Sequence, residues 1–89
     1  MLLHGHGCDH GFWAPPAAAL GAAGFPVEAP DFPFHGGPTA GYAPTLASLA
    51  DFCAALLAPG PPAVLAGHSL GGMVATAVAQ QSARACARI

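Results

Sequence analysis

Residues 63–73 read Ala63-Val64-Leu65-Ala66-Gly67-His68-Ser69-Leu70-Gly71-Gly72-Met73, and two patterns meet within them. Ala63 to Ala66 is a short apolar run without alternation, as expected for a central parallel strand buried on both faces. From Leu70 the period changes: Leu70, Met73, Val74, Ala77 and Val78 recur at three- and four-residue steps, which predicts a helix over residues 70–85. Between strand and helix lies a G-x-S-x-G turn. A serine there is forced into a strained backbone conformation that lifts its hydroxyl clear of the sheet. Gly67 and Gly71 lack the side chains that would collide with the neighbouring strand and helix.

Working outward, Pro59 to Pro62 is a hard break, and before it residues 45–58 read as a helix. Leu46, Leu49, Ala50, Cys53, Leu56 and Leu57 share one face, Thr45 supplies a cap and Asp51 is the only charge. Nearer the start, Met1 to Leu3 is an apolar strand running into the glycine-rich turn His4-Gly5-His6-Gly7. Phe12, Trp13, Ala17 and Leu20 then recur at helical spacing over residues 12–23, with Pro15 and Pro16 suited to the first turn and Gly21 and Gly24 as stops. Residues 25–29 read as a second strand, followed by Pro30-Asp31 and a loop holding His35-Gly36-Gly37-Pro38. Strand, helix, strand, helix, strand, helix is the order of a doubly wound, mostly parallel α/β sheet. The whole of residues 1–89 reads as one partial domain of that class.

Composition narrows the function. Only two residues are Lys or Arg and four are Asp or Glu, far below the roughly one-quarter charged share of an ordinary domain. Nothing here builds an electrostatic footprint for nucleic acid or anionic lipid. So sparse a surface fits an Ala-, Gly- and Pro-rich coding bias together with contact against further chain. Residues 52–83 carry no charge, but prolines and glycines cut the stretch into pieces too short to span a membrane. Cys8, Cys53 and Cys86 are odd in number and widely spaced, so reduced thiols in a cytoplasmic protein are expected. No basic, then apolar, leader precedes the first strand.

The setting of Ser69 gives it two readings. It is a helix cap, or it is a nucleophile whose developing oxyanion faces the N–H groups and positive dipole end of the helix that begins at Leu70. The strand-to-helix context favours the nucleophile. The turn after the first strand supplies the other half of such an oxyanion hole, with the backbone N–H of His6 beside that of Leu70. His4, His6 and His10 form an H-x-H-x₃-H cluster of the kind that takes up a transition metal. Because the glycine-rich turn already accounts for His4 and His6, no metal and no cofactor is expected. Phe12, Trp13, Phe32 and Phe34 are more economically core residues than pocket walls.

On these motifs the chain resembles the α/β-hydrolase superfamily over essentially its whole length. The segments LLHGHGCDHGFW, AAGFPVEAPDFPFHGG and AVLAGHSLGGMVA carry the resemblance, in the family's order and approximate spacing. His4-Gly5 to Trp13 and GHSLGGM are most similar to a small-ester group that includes carboxylesterases, methyl-esterases and hydroxynitrile lyases. Lipases, thioesterases, haloperoxidases and C–C bond hydrolases share GHSxGG. The resemblance implies Ser69 as nucleophile, His6 and Leu70 as backbone oxyanion donors, Gly67 and Gly71 as turn glycines, and Asp31 in a loop-building role.

Family order places an acid and then a histidine after the nucleophile, and residues 70–89 contain no Asp, Glu or His. The expectation is therefore a small-ester serine hydrolase in a longer parent, represented here by its nucleophile-bearing portion, with no strand after the last helix. The alternative is a non-catalytic remnant or a subunit that needs a partner chain to cover its sheet edge. His35 stands on a loop near the site, but without an orienting carboxylate it is not expected to replace the missing base.

Overall fold

The computed structural model describes residues 1–58, 60–81 and, as backbone strand, 86–88. Strand β1 (Leu2–Leu3) leads through a 3₁₀ turn at His10–Trp13 into helix α1 (Ala14–Ala22). Helix α2 (Leu46–Leu57) follows, then the short strands β2 (Ala63–Val64) and β3 (Ala66–Gly67), helix α3 (Leu70–Gln81) and strand β4 (Cys86–Arg88).

Helices α1 and α2 start where local chemistry provides for their free N–H groups. Thr45 is extended and its hydroxyl accepts from Ser48 N–H at 3.2 Å, so α2 is capped as the sequence predicts. Pro15 and Pro16 occupy the first positions of α1, where a missing N–H costs nothing.

The apolar run from Ala63 to Gly67 is paired on both sides. β3 lies parallel to β1, with Leu2 opposite Ala66 and Leu3 opposite Gly67. β2 lies parallel to β4, with Ala63 opposite Cys86. Leu65, between the two short strands, is fully buried. Val64, however, is 58% exposed, so the run is not buried on both faces as expected of a central strand; the parallel order agrees with an α/β sheet, here in small pieces.

Two further expectations need correction. Residues 25–29 form no strand: a single bond from Leu2 N–H to the Glu28 carbonyl, 2.8 Å, ties that segment to β1. Pro26 lacks the donor a ladder requires and Pro30 closes the segment. Second, the tail does hold a strand, β4, whose Cys-Ala-Arg sequence carries no apolar run and which forms by pairing with β2. Helix α3 is described to Gln81; the expected continuation through residues 82–85, like Pro59 of the expected break, lies outside the described residues and is not tested.

α2 packs on α3, and α3 on β3 and β1. The core joins Leu3, Phe32, Leu49, Ala50, Phe52, Cys53, Leu57, Leu65, Val74, Ala75 and Val78. The buried face of α2 is rotated from the one expected. Leu46 and Leu56 are each 41% exposed, while Phe52 is buried with its ring 5.6 Å from Tyr42. On α3, Met73 is exposed and Ala75 takes the interior. On α1 no residue is buried, and Leu20 and the preceding Phe12 stand in solvent. Among the described residues, no helix is long and apolar enough to cross a membrane.

Burial pushes the Cys53 thiol up to about 12, so it is an inert apolar filler. Replacing Leu65 with alanine is expected to cost about 2–5 kcal/mol of unfolding free energy in urea titrations. Its neighbour Val64, 58% exposed, should change stability by less than about 0.5 kcal/mol when replaced by alanine.

Candidate functional site

Because β1 and β3 run parallel, both leave the sheet at the same edge, and the turns that follow them meet. The His68 N–H donates to the Leu3 carbonyl at 3.1 Å and extends the ladder by one bond. Gly5 lies directly against the second turn: a Cβ added to it would be 3.6 Å from Ser69 Cβ and 3.1 Å from His68 Nδ1. Two motifs more than sixty residues apart are thus brought into contact.

The two glycines of the serine turn are sterically obligatory. A Cβ on Gly71 would strike the Leu3 carbonyl and sit 2.7 Å from the His4 carbonyl oxygen. One on Gly67 would strike the Gly71 carbonyl and sit 2.5 Å from Gly72 N. Ser69 itself adopts φ 55°, one of two non-glycine residues in the left-handed region among those described. Strain of this kind persists only where the surroundings over-determine the backbone, and here the close approach of Gly67, Gly71 and Leu3 does so.

Ser69 is exposed, and its hydroxyl makes no hydrogen bond with a described residue. An N-cap serine is extended and accepts from the helix it caps; Ser69 does neither. Its backbone carbonyl instead receives Gly72 and Met73 N–H at 2.9 and 3.2 Å. The N–H groups of Leu70 and His6 donate to no described group. His68 points its ring at Phe12, with centroids 4.7 Å apart.

The turn after β1 is held from below. The His4 imidazole is fully buried; its Nδ1 lies 2.8 Å from the Gly5 carbonyl, and its Nε2 accepts from Phe32 N–H at 3.1 Å. Asp31 Oδ1 accepts from both the backbone N–H of His10, at 2.8 Å, and its ring Nδ1, at 2.9 Å. Residues 31–37 are therefore fastened to the first turn at two points. His35 stands 5.4 Å from both His4 and His6, ring centre to ring centre. Its Nδ1 donates to the Pro33 carbonyl at 3.2 Å.

The four aromatics divide. Phe32 is core, whereas Phe34 is 47% exposed and Phe12 46%. Trp13 is half-buried, its indole N–H enclosed without a partner among the described residues. Phe34 is the second residue with positive φ, at 66°, and no feature of the sequence announces a left-handed phenylalanine. It lines a small cavity of about 180 Å³ together with His6, His35, Leu46, Leu49 and Leu70. A larger groove of about 750 Å³ lies at the opposite, amino ends of the strands, walled by Leu20, Phe25, Leu56, Pro61 and Val64. No part of the serine turn reaches it.

His4, His6 and His10 do not assemble. Both nitrogens of His4 are engaged and His10 faces Asp31; among the described residues no three His, Cys, Asp or Glu side chains stand where they could share a metal ion.

Two variants test this geometry. Ser69→Gly should raise the unfolding free energy by roughly 1 kcal/mol, since glycine adopts a positive φ without penalty. The second concerns the surface clamp. The hydrogen bond to Asp31 raises His10 above its usual 6.5, so the stability it lends is whole below 6.5 and lost as pH climbs through the raised value. The His10 backbone N–H and then its ring hold Asp31 below its usual 3.8, so that share is present above 3.8 and fades as pH falls through the lowered value. The clamp is complete between 3.8 and 6.5. In Asp31→Asn, a proton NMR titration should find His10 returned toward 6.5.

A family model described as "Alpha/beta hydrolase family" matches residues 1–89. No curated protein and no solved structure matched the chain.

Proposed function

This chain belongs to the alpha/beta hydrolase family, and from that premise we propose that Ser69 is the nucleophile of a serine esterase acting on small carboxylic esters. The family match speaks for hydrolase chemistry in general. The serine mechanism is our reading, and one observation supports it above others. A strained, exposed serine with an unengaged hydroxyl abuts a second turn, and each turn offers a backbone N–H with no described acceptor.

In this reading Ser69 Oγ attacks the ester carbonyl carbon and its proton passes to a histidine base. The carbonyl oxygen becomes an oxyanion held by His6 and Leu70 N–H. Collapse of the tetrahedral species breaks the bond to the alkoxy group, which leaves as the alcohol with the proton from the histidine. Water then repeats the sequence on the acyl-enzyme and releases the acid. The helix α3 dipole adds to the field at the oxyanion.

The histidine and its orienting acid are not among residues 70–89. We place them in further chain or in a partner chain; His35 is not assigned the role, because no carboxylate orients it. A non-catalytic subunit is the alternative reading, and this lack of a base after Ser69 is what favours it. A reducing, cytoplasmic setting belongs to the proposal and rests on the free thiols of Cys8 and Cys53.

The 89-residue chain alone should not turn over activated esters such as p-nitrophenyl acetate. Supplied with the segment that carries histidine and acid, it should do so, and Ser69→Ala should lower kcat by roughly 10⁴-fold or more. Turnover that survives Ser69→Ala would falsify the assignment.

A further inference from the structure

His4 touches no reacting atom in this scheme, yet it is the one polar side chain buried completely among the described residues. Its two nitrogens have different work. A backbone N–H can only donate, so Nε2, which receives Phe32 N–H, carries no proton. The ring proton is then on Nδ1, and the group 2.8 Å away is the Gly5 carbonyl, which can only accept. The same carbonyl also receives Cys8 N–H at 3.1 Å. The ring is kept in place by Phe32, 4.6 Å away, and His35, 5.4 Å away.

A peptide unit is planar, and in the trans form its C=O and N–H point in opposite directions. The carbonyl of Gly5 and the N–H of His6 belong to one such unit. Two donors that fix the direction of the carbonyl therefore fix the direction of the N–H, and that N–H is left without a described acceptor on the edge where Gly5 meets Ser69.

We propose that His4 is a positioning residue: its Nδ1–H holds the Gly5 carbonyl so that the His6 N–H is aimed at the oxyanion. The proposal rests on the reading of His6 as an oxyanion donor and adds a cause for its aim. It also gives residues 31–37 a part in the chemistry, since the Phe32 N–H selects the tautomer on which the aim depends. Without that bond Nδ1 has no reason to keep the proton, and a bare Nδ1 facing a carbonyl oxygen is repulsive.

Two measurements test it. The first is ¹⁵N NMR of the imidazole in the wild-type chain, where Nδ1 is expected to be protonated and Nε2 bare. In His4→Phe the His6 amide resonance should move while most other amides stay. The second is ester hydrolysis by the protein that carries this chain together with its histidine and acid. A donor that acts on the transition state changes kcat rather than KM, so His4→Phe should lower kcat about 10- to 100-fold with KM altered less than about threefold. His4→Asn, whose amide offers a donor close to the Nδ1 position, should recover most of the loss, which a space-filling role does not predict.

A protonated Nε2, an unmoved His6 amide, or an unchanged kcat in a folded His4→Phe would overturn the proposal. If His4→Phe does not fold, the tautomer and the kcat of His4→Asn decide. Lack of any Ser69-dependent turnover would sink the esterase reading alone, and the tautomer with the His6 amide shift would still decide whether His4 aims that N–H.

Discussion

The backbones of Leu3, Gly67 and Gly71 approach one another so closely that neither glycine has room for a Cβ. That approach lets α3 begin immediately behind the sheet instead of a side chain's width away. Once α3 is seated there, Val74, Ala75 and Val78 reach the interior and give α2 a surface on which to bury Leu49, Ala50, Phe52 and Cys53. The same proximity leaves Ser69 no backbone path except the left-handed one. A substitution at either glycine therefore disturbs the fold and the site together.

Chain direction does the rest. In a parallel pair the strands end on the same side, so the turns after β1 and β3 become neighbours although most of the chain separates them. Each turn brings peptide groups whose donors the sheet no longer uses. The charge-poor composition shows here as well: what these turns present is peptide N–H groups and a helix N-terminus, not charged side chains. His4 and Asp31 brace that arrangement from the sheet side and from the surface, and the loop after Asp31 is common to both braces.

What the sequence disclosed follows how local each signal is. The strand–turn–helix around Ser69, with Gly67, Gly71 and Leu70, was legible because strand, turn and helix start each leave a short-range mark. So was the cap at Thr45. Helix faces were less so. In a chain rich in alanine and leucine, several faces of α2 are equally apolar, and the choice of Phe52 over Leu56 is made by Tyr42 and α3. The stretch around Val27 was expected to pair as a strand, but its flanking prolines limit it to one bond with Leu2. β4 was invisible because three residues of Cys-Ala-Arg become a strand only when β2 is there to pair with them. The left-handed Phe34 and the fully buried His4 likewise arise from tertiary contacts, which leave no periodic trace.

The ladder between β1 and the Val64–Gly67 run also fixes an order of events as the chain is made. The Met1 amino group bonds to the Val64 carbonyl, a partner 63 residues later. Loop closure over such a span is paid before any contact rewards it. Strand β1 and its histidine turn must therefore wait for their partner strand while α1 and α2 are made. Only when the serine turn has followed them can β1 and β3 pair, so the turn that carries Ser69 and the turn after β1 come together in a single late step.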